Sequence, residues 1–299
     1  MLPYRLSQEG PWADSIDFNS DSFTDVLIGN GKGYPLKLYK NIEGTSFEEI
    51  SLNHPSFKEG EITGIKSFSD NNTPQAIIAV SYYEAESTKP GTILHLEFNN
   101  GEPVFNDLGL DDVTNPGSIT IADYDFDGDS DFFVSGRSVP NKYPIAANSA
   151  LYENDNGEFA LSEAHRSVFE NLGLVTGAQF KDLDNDNYPE LVISRELNSN
   201  KVYKNQKGNL TDISNDLPIS DKPGFWQNVT IGDFNNDGIQ DLFFSNIGEN
   251  TLYQDFRLTS DELRFYYPIA DINSNLPMRI IESYYDENKQ CWSPIRKYS

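Results

Sequence analysis

The chain has 299 residues and a formal net charge of −25, from 22 Lys and Arg against 47 Asp and Glu. That balance argues against nucleic acid as a partner, because phosphate binding needs a basic face. A hydrophobic share of 37% with 16 Tyr and 19 Phe can build a core and excludes a disordered acidic chain. Cys291 is the single cysteine, so no intrachain disulfide forms.

In chain order, the first organised element is an acidic stretch, Asp17–Asp25, followed by the apolar run VLIG. Oxygen-bearing side chains stand at its positions 1, 3, 5 and 9, as Asp17, Asn19, Asp21 and Asp25. The pattern recurs as Asp123, Asp125, Asp127 and Asp131, then as Asp182, Asp184, Asp186 and Glu190, and again as Asp233, Asn235, Asp237 and Asp241. An apolar run follows each copy. A short loop cannot spread alternate carboxylates apart, so their lone pairs converge and repel until a cation joins them. Ca²⁺ takes about 6–8 oxygen ligands and suits the set. Position 7 adds a backbone carbonyl, at Phe23, Asp129, Tyr188 and Ile239. Water or a bidentate carboxylate completes the shell. About four calcium ions are therefore predicted.

The Asp123 loop, with four carboxylates and Gly128 at the turn, is expected to bind best. Next come the Asp182 loop, where Asn187 tolerates left-handed backbone, and the Asp233 loop with Gly238. The Asp17 loop, with Ser22 at the strained position, ranks last. Two copies are degenerate. Ser67–Gln75 lacks a carboxylate at the four positions, and Asp271–Arg279 puts Arg279 at position 9. Neither is expected to hold calcium.

A second motif follows each loop. It reads LYKNIEG from Leu38, HLEFNNG from His95, LYENDNG from Leu151, VYKNQKG from Val202, and LYQDF from Leu252. Alternating apolar residues around an Asn-Gly turn predict a hairpin. Each unit is then four strands: strand, acidic loop, strand, linker, hairpin. The units span roughly 12–51, 61–108, 116–164, 172–214, 224–258 and 262–299. Four-stranded units at this period predict an all-β fold, a β-propeller of about six blades in a single domain. Only Glu163–Glu170 suggests a short helix. The sixth unit stops near its third strand. Either Leu2–Leu6 closes the ring as the missing outer strand, or the chain ends inside a longer propeller.

Acidic loop, strand and aromatic-Asn-Gly hairpin together resemble the FG-GAP, or VCBS, repeats of integrin-α-like propellers over nearly the whole chain. The bacterial ASPIC/UnbV type is most similar, through LPYRLSQEGP at Leu2–Pro11, GRSVPNKYP at Gly136–Pro144, GFWQNVTIGDFNNDG at Gly224–Gly238 and LRFYYPIADINSN at Leu263–Asn275. The resemblance implies a secreted or surface-attached bacterial protein with calcium in its blade loops. It supplies no ligand. The chain departs from the type in lacking further repeats and the C-terminal ASPIC/UnbV domain. Ser22 and Asn187 also replace the usual glycine.

The reading that follows is a calcium-stabilised extracellular or cell-surface binding or adhesion propeller, with a protein or carbohydrate partner and no enzymatic activity. Long linkers on one face are where such function resides, and the distinctive residues there are Arg137, Tyr143, Phe225, Trp226 and Asn228. Each also has a structural reading, Trp226 as a core anchor and Arg137 as the partner of a carboxylate. Alternatives are a propeller glycosidase or polysaccharide lyase working through paired carboxylates, and a structural segment of a larger surface protein. Against an enzyme, His54, His95 and His165 are scattered, and no G-x-S-x-G, P-loop or zinc spacing occurs. No stretch has the length of a membrane span. No signal peptide is visible in Met1–Gly10, which leaves export with a removed signal, excision from a longer chain, or a cytoplasmic home.

Overall fold

A computed structural model describes residues 11–70, 72–83, 90–99, 101–109, 112–170, 172–219, 221–247, 263–266, 281–286 and 289–294. The expected Leu2–Leu6 strand, the hairpin from Leu252 and the degenerate loop at Asp271–Arg279 lie outside them. Antiparallel meanders follow one another along the chain. The first holds β1 (Ala13–Ile16), β2 (Asp25–Ile28), β3 (Leu36–Ile42) and β4 (Ser46–Leu52), in that order across the sheet. The second holds β5 (Glu61–Asp70), β6 (Thr73–Ser81), β7 (Thr92–Asn99) and β8 (Glu102–Asp107). The third holds β9 (Pro116–Ala122), β10 (Asp131–Gly136), β11 (Ala150–Asp155) and β12 (Glu158–Leu161), and α1 (Arg166–Phe169) follows it.

The fourth unit holds β13 (Leu174–Lys181), β14 (Glu190–Asn198), β15 (Lys201–Gln206) and β16 (Asn209–Asp212). The far end of β14 also pairs with β17 (Gly224–Gly232), through Glu196 with Phe225 and Asn198 with Gly224. β17 pairs in turn with β18 (Asp241–Asn246). Last come β19 (Leu263–Tyr266), β20 (Ile281–Asp286) and β21 (Cys291–Pro294), in a three-stranded sheet.

The second strand of each unit explains how the sheets stack. It carries a run of consecutive apolar residues, as a strand buried on both faces does. In β6, Ala76, Ile78 and Val80 pack with Leu27, Leu36 and Leu38 of the first unit. Ile77 and Ala79, pointing the other way, pack with Phe132, Val134 and Tyr152 of the third. The two-residue period of a strand makes this division automatic. β10 repeats it, with Phe132 and Val134 facing the second unit and Phe133 facing Leu191 and Ile193 of the fourth. Phe133 is fully buried; truncation to alanine would cost about 3–5 kcal/mol.

First strands latch neighbouring units together. Asp14 accepts the Ser67 N–H at 2.7 Å, Thr120 accepts the Phe180 N–H at 3.0 Å, and Gln179 accepts the Ile231 N–H at 3.1 Å. These are equivalent contacts and they align the units. They place Ser67 inside β5, where the sequence reading made it position 1 of a loop. Ser67 pairs with Ala76 across a corner two residues shorter than those between Phe180 and Leu191 or Ile231 and Leu242. The second unit therefore closes with Asp70 paired to Thr73 and has no acidic loop at all.

Candidate functional site

The four acidic loops fold on one plan. The position-1 carboxylate accepts the N–H groups of positions 5 and 6: Asp17 from Asp21 and Ser22, Asp123 from Asp127 and Gly128, Asp182 from Asp186 and Asn187, Asp233 from Asp237 and Gly238, all within 2.9–3.2 Å. The position-5 carboxylate accepts the N–H of position 7, so Phe23, Asp129, Tyr188 and Ile239 are held at 2.8–3.0 Å. Position 6 is left-handed in every loop, including Ser22 (φ 71°) and Asn187 (φ 73°). So is position 4, which the sequence did not flag: Ser20, Phe126, Asn185 and Asn236 have φ of 57°, 68°, 63° and 60°.

The acid at position 9 opens the next strand and turns inward. Asp25, Asp131 and Glu190 are buried, and each accepts two backbone N–H groups. Asp241 accepts the Phe234 N–H at 3.1 Å. Burial raises the pKa of Asp25 and Glu190 and pushes Asp131 up to about 8; the backbone hydrogen bonds oppose it only in part. Burial, then the Asp127 charge, also raises Asp125.

Oxygens of Asp123, Asp125 and Asp127 lie within 4.8 Å of one another, as do those of Asp182, Asp184 and Glu190. Among the described residues these are the two places where three such groups converge. At position 3 of the other two loops stands an amide. Asn19 and Asn235 donate to Asp21 and Asp237 at 2.9 and 3.0 Å, so an uncharged donor stands between the acids of these loops. The two all-carboxylate sets present the hard oxygen donors that a divalent ion takes.

The repeated Asn of the hairpin motif carries the scaffold, a role its place near a turn concealed. Asn41, Asn154 and Asn205 each give their backbone N–H to the position-9 acid, at 2.7, 2.9 and 3.2 Å. Each side-chain amide holds the position-8 carbonyl, of Thr24, Ser130 or Pro189. Each side-chain oxygen accepts an N–H from the hairpin glycine, Gly44, Gly157 or Gly208. Asn205 also reaches the preceding unit, donating to the Tyr124 carbonyl at 2.7 Å. Gly208 lies so close that a side chain there would meet Asp125 at 2.9 Å. The Asp123 and Asp182 loops thus share one asparagine. A second unforeseen residue is Lys204, which pairs with Asp184 and holds its carboxyl below the usual range.

Beneath the Asp123 loop runs a buried chain. Tyr124 donates to Glu153 at 2.7 Å, as does Ser162 at 2.6 Å, and His165 Nδ1 meets Ser162 at 2.8 Å. His165 Nε2 faces the Leu210 N–H of the next unit at 3.4 Å.

The linker candidates divide. Arg137 and Tyr143 are buried, and Arg137 has the carboxylate partner of its structural reading: it joins Glu196 at 2.9 Å and Tyr143 donates to the same carboxylate at 2.9 Å. Burial lowers the Arg137 pKa and raises that of Glu196, each opposed by the other's charge. Trp226 lies inside β17, where the sequence placed it just before a strand. Its Nε1–H binds the Lys222 carbonyl at 2.9 Å and its ring meets Phe244 edge-on. Phe225 pairs with β14, and Asn228 packs against Gly177. Three of the five meet at Glu196, which binds Arg137 and Tyr143 and pairs across the strands with Phe225.

Residues 182–244 match the family model of the FG-GAP-like repeat, a span that holds both the Asp182 and the Asp233 loops. No curated protein sequence matches. Similar solved structures include BBS1N in complex with ARL6DN, at 10% identity over 80% of this chain and 76% of that one, with a TM-score of 0.44. An exo-1,5-alpha-L-arabinanase from a bovine ruminal metagenomic library aligns at 9% identity over 98% and 100%, with a TM-score of 0.41. The major Malassezia sympodialis allergen Mala s 1 aligns at 8% over 91% and 86%, with a TM-score of 0.43.

Proposed function

We propose that this chain is a calcium-stabilised β-propeller of about six four-stranded blades, working as a binding module outside the cell or on its surface and not as an enzyme. The observation that carries the reading is the common plan of the four loops. In each, the position-1 and position-5 carboxylates are held by the loop's own backbone N–H groups, and in the Asp123 and Asp182 loops three acids converge within 4.8 Å. Calcium there neutralises acids that otherwise repel, so part of its binding energy is folding energy. Modules of this kind outside the cell bind calcium at about 10⁻⁴–10⁻³ M, too weakly to fill in a resting cytosol. The partner is a protein or a carbohydrate. The relation to ASPIC/UnbV-type repeats belongs to the same proposal.

Metal counting after dialysis against millimolar calcium tests it, beside the same measurement on Asp123→Ala. About four ions, falling by one in the variant, fit the proposal. No bound ion in either protein refutes it. No helix among the described residues is long and apolar enough to cross a membrane.

A further inference from the structure

We propose that Phe126 and Tyr188 form the centre of a docking surface for a cationic protein segment, one that carries lysine or arginine. The assignment deepens the binding role proposed above by naming a partner class, and it does not depend on the metal.

The argument starts at loop position 4. Ser20, Asn185 and Asn236 are small and polar, and Asn tolerates left-handed backbone. Phe126 adopts the same conformation, at φ 68°, where a bulky residue is strained. Nothing in the core explains it, since Phe126 is 61% exposed. Its ring instead meets Tyr188, at position 7 of the neighbouring loop, with centroids 5.5 Å apart and planes tilted by 52°. Two aromatic faces from adjacent units therefore stand side by side at the surface. Asn205 and Gly208 fix the two loops against each other, so the pair is in place before a partner arrives.

Charge selects the occupant. Asp125, Asp127 and Asp129 belong to the loop that carries Phe126, and Asp184 and Asp186 to the loop that carries Tyr188. Lys204 is engaged by Asp184. With one divalent ion in each loop, each set of four carboxylates keeps a formal charge of about −2. An ammonium or guanidinium gains from both features, through the ring quadrupole and the acidic rim. A neutral sugar would gain only from the rings.

Fluorescence anisotropy tests the proposal with labelled peptides of equal length, one rich in Lys and Arg and one rich in Glu, in millimolar calcium. Maltoheptaose serves as a neutral competitor. The variants are Phe126→Asn, Tyr188→Ser and, as a distant exposed aromatic, Phe47→Ser. The expected result is binding of the basic peptide alone, weakened roughly tenfold by Phe126→Asn or Tyr188→Ser and unchanged by Phe47→Ser. The thermal midpoint of Phe126→Asn should hold or rise, because Asn suits the left-handed position. Equal basic-peptide binding by wild type and Phe126→Asn, no binding at all, displacement by maltoheptaose, or a lowered midpoint in Phe126→Asn would each overturn it. Ions counted on the same samples, and anisotropy repeated in chelator, separate this outcome from failure of the calcium reading.

Discussion

The second and third units turn the same corner by different means. Between β9 and β10 the chain uses a loop whose three carboxylates lie within 4.8 Å of one another. Between β5 and β6 it uses a turn two residues shorter, with one acid, Asp70. Asp70 is held by the Ser130 hydroxyl at 2.7 Å and the Asn154 amide at 3.5 Å, both from the third unit. A corner stabilised by ordinary hydrogen bonds is thus available to this fold. The Asp123 and Asp182 loops nevertheless keep clustered acids, at a cost in repulsion and burial that the short turn avoids. The difference points to a ligand for the acids.

The comparison can be broken at several points. The largest effect should come from Asn205→Ala, which strips hydrogen bonds from Tyr124, Pro189 and Gly208. A loss of about 3–4 kcal/mol in denaturant unfolding is expected, together with weaker ion binding in both the Asp123 and Asp182 loops. Calorimetric titration that showed only one loop affected would remove the shared-clamp argument. Next is Asp123→Ala. It should forfeit one ion and about 2–3 kcal/mol in saturating calcium, and much less in chelator. Asp70→Asn in the short turn should leave the ion count unchanged and cost about 1 kcal/mol, equally with and without calcium.

Smaller effects sharpen the ranking of the loops. Lys204→Met frees Asp184 and should tighten calcium at the Asp182 loop roughly threefold, measurable by titration. The smallest effect concerns pH. Burial holds the His165 pKa below its ordinary 6.5, so folding favours the neutral ring. That contribution is complete above about 6.5, the unfolded value, and is lost as pH falls through the folded value. His165→Gln should therefore flatten the decline in thermal midpoint below about pH 6.5. His95, buried in the second unit and lowered for the same reason, should behave alike, because neither ring depends on the metal. A flat slope in the wild-type protein would contradict both assignments.

The repeating strands were legible because two-faced burial writes an apolar run after each loop, as in Phe132–Val134 and Leu191–Ile193. The loops were legible because the same oxygen-bearing residues recur at positions 1, 3, 5 and 9. The partners that support them were not. Asn41, Asn154 and Asn205 read locally as turn residues, while their contacts cross strands and, for Asn154 and Asn205, cross units. Lys204 lies 20 residues from Asp184, and only the pairing of β14 with β15 brings them together. Ser67 was misplaced because a two-residue shortening is invisible without the register. Arg137 and Tyr143 looked like loop-face residues because Glu196, which buries them, sits more than fifty residues away in sequence.

The most direct test of the central claim is thermal unfolding in millimolar calcium and in EGTA, with bound metal counted on the same samples. The account predicts close to four ions and a midpoint several degrees higher with calcium. Equal midpoints with no bound metal would contradict it and reduce the loops to acidic turns.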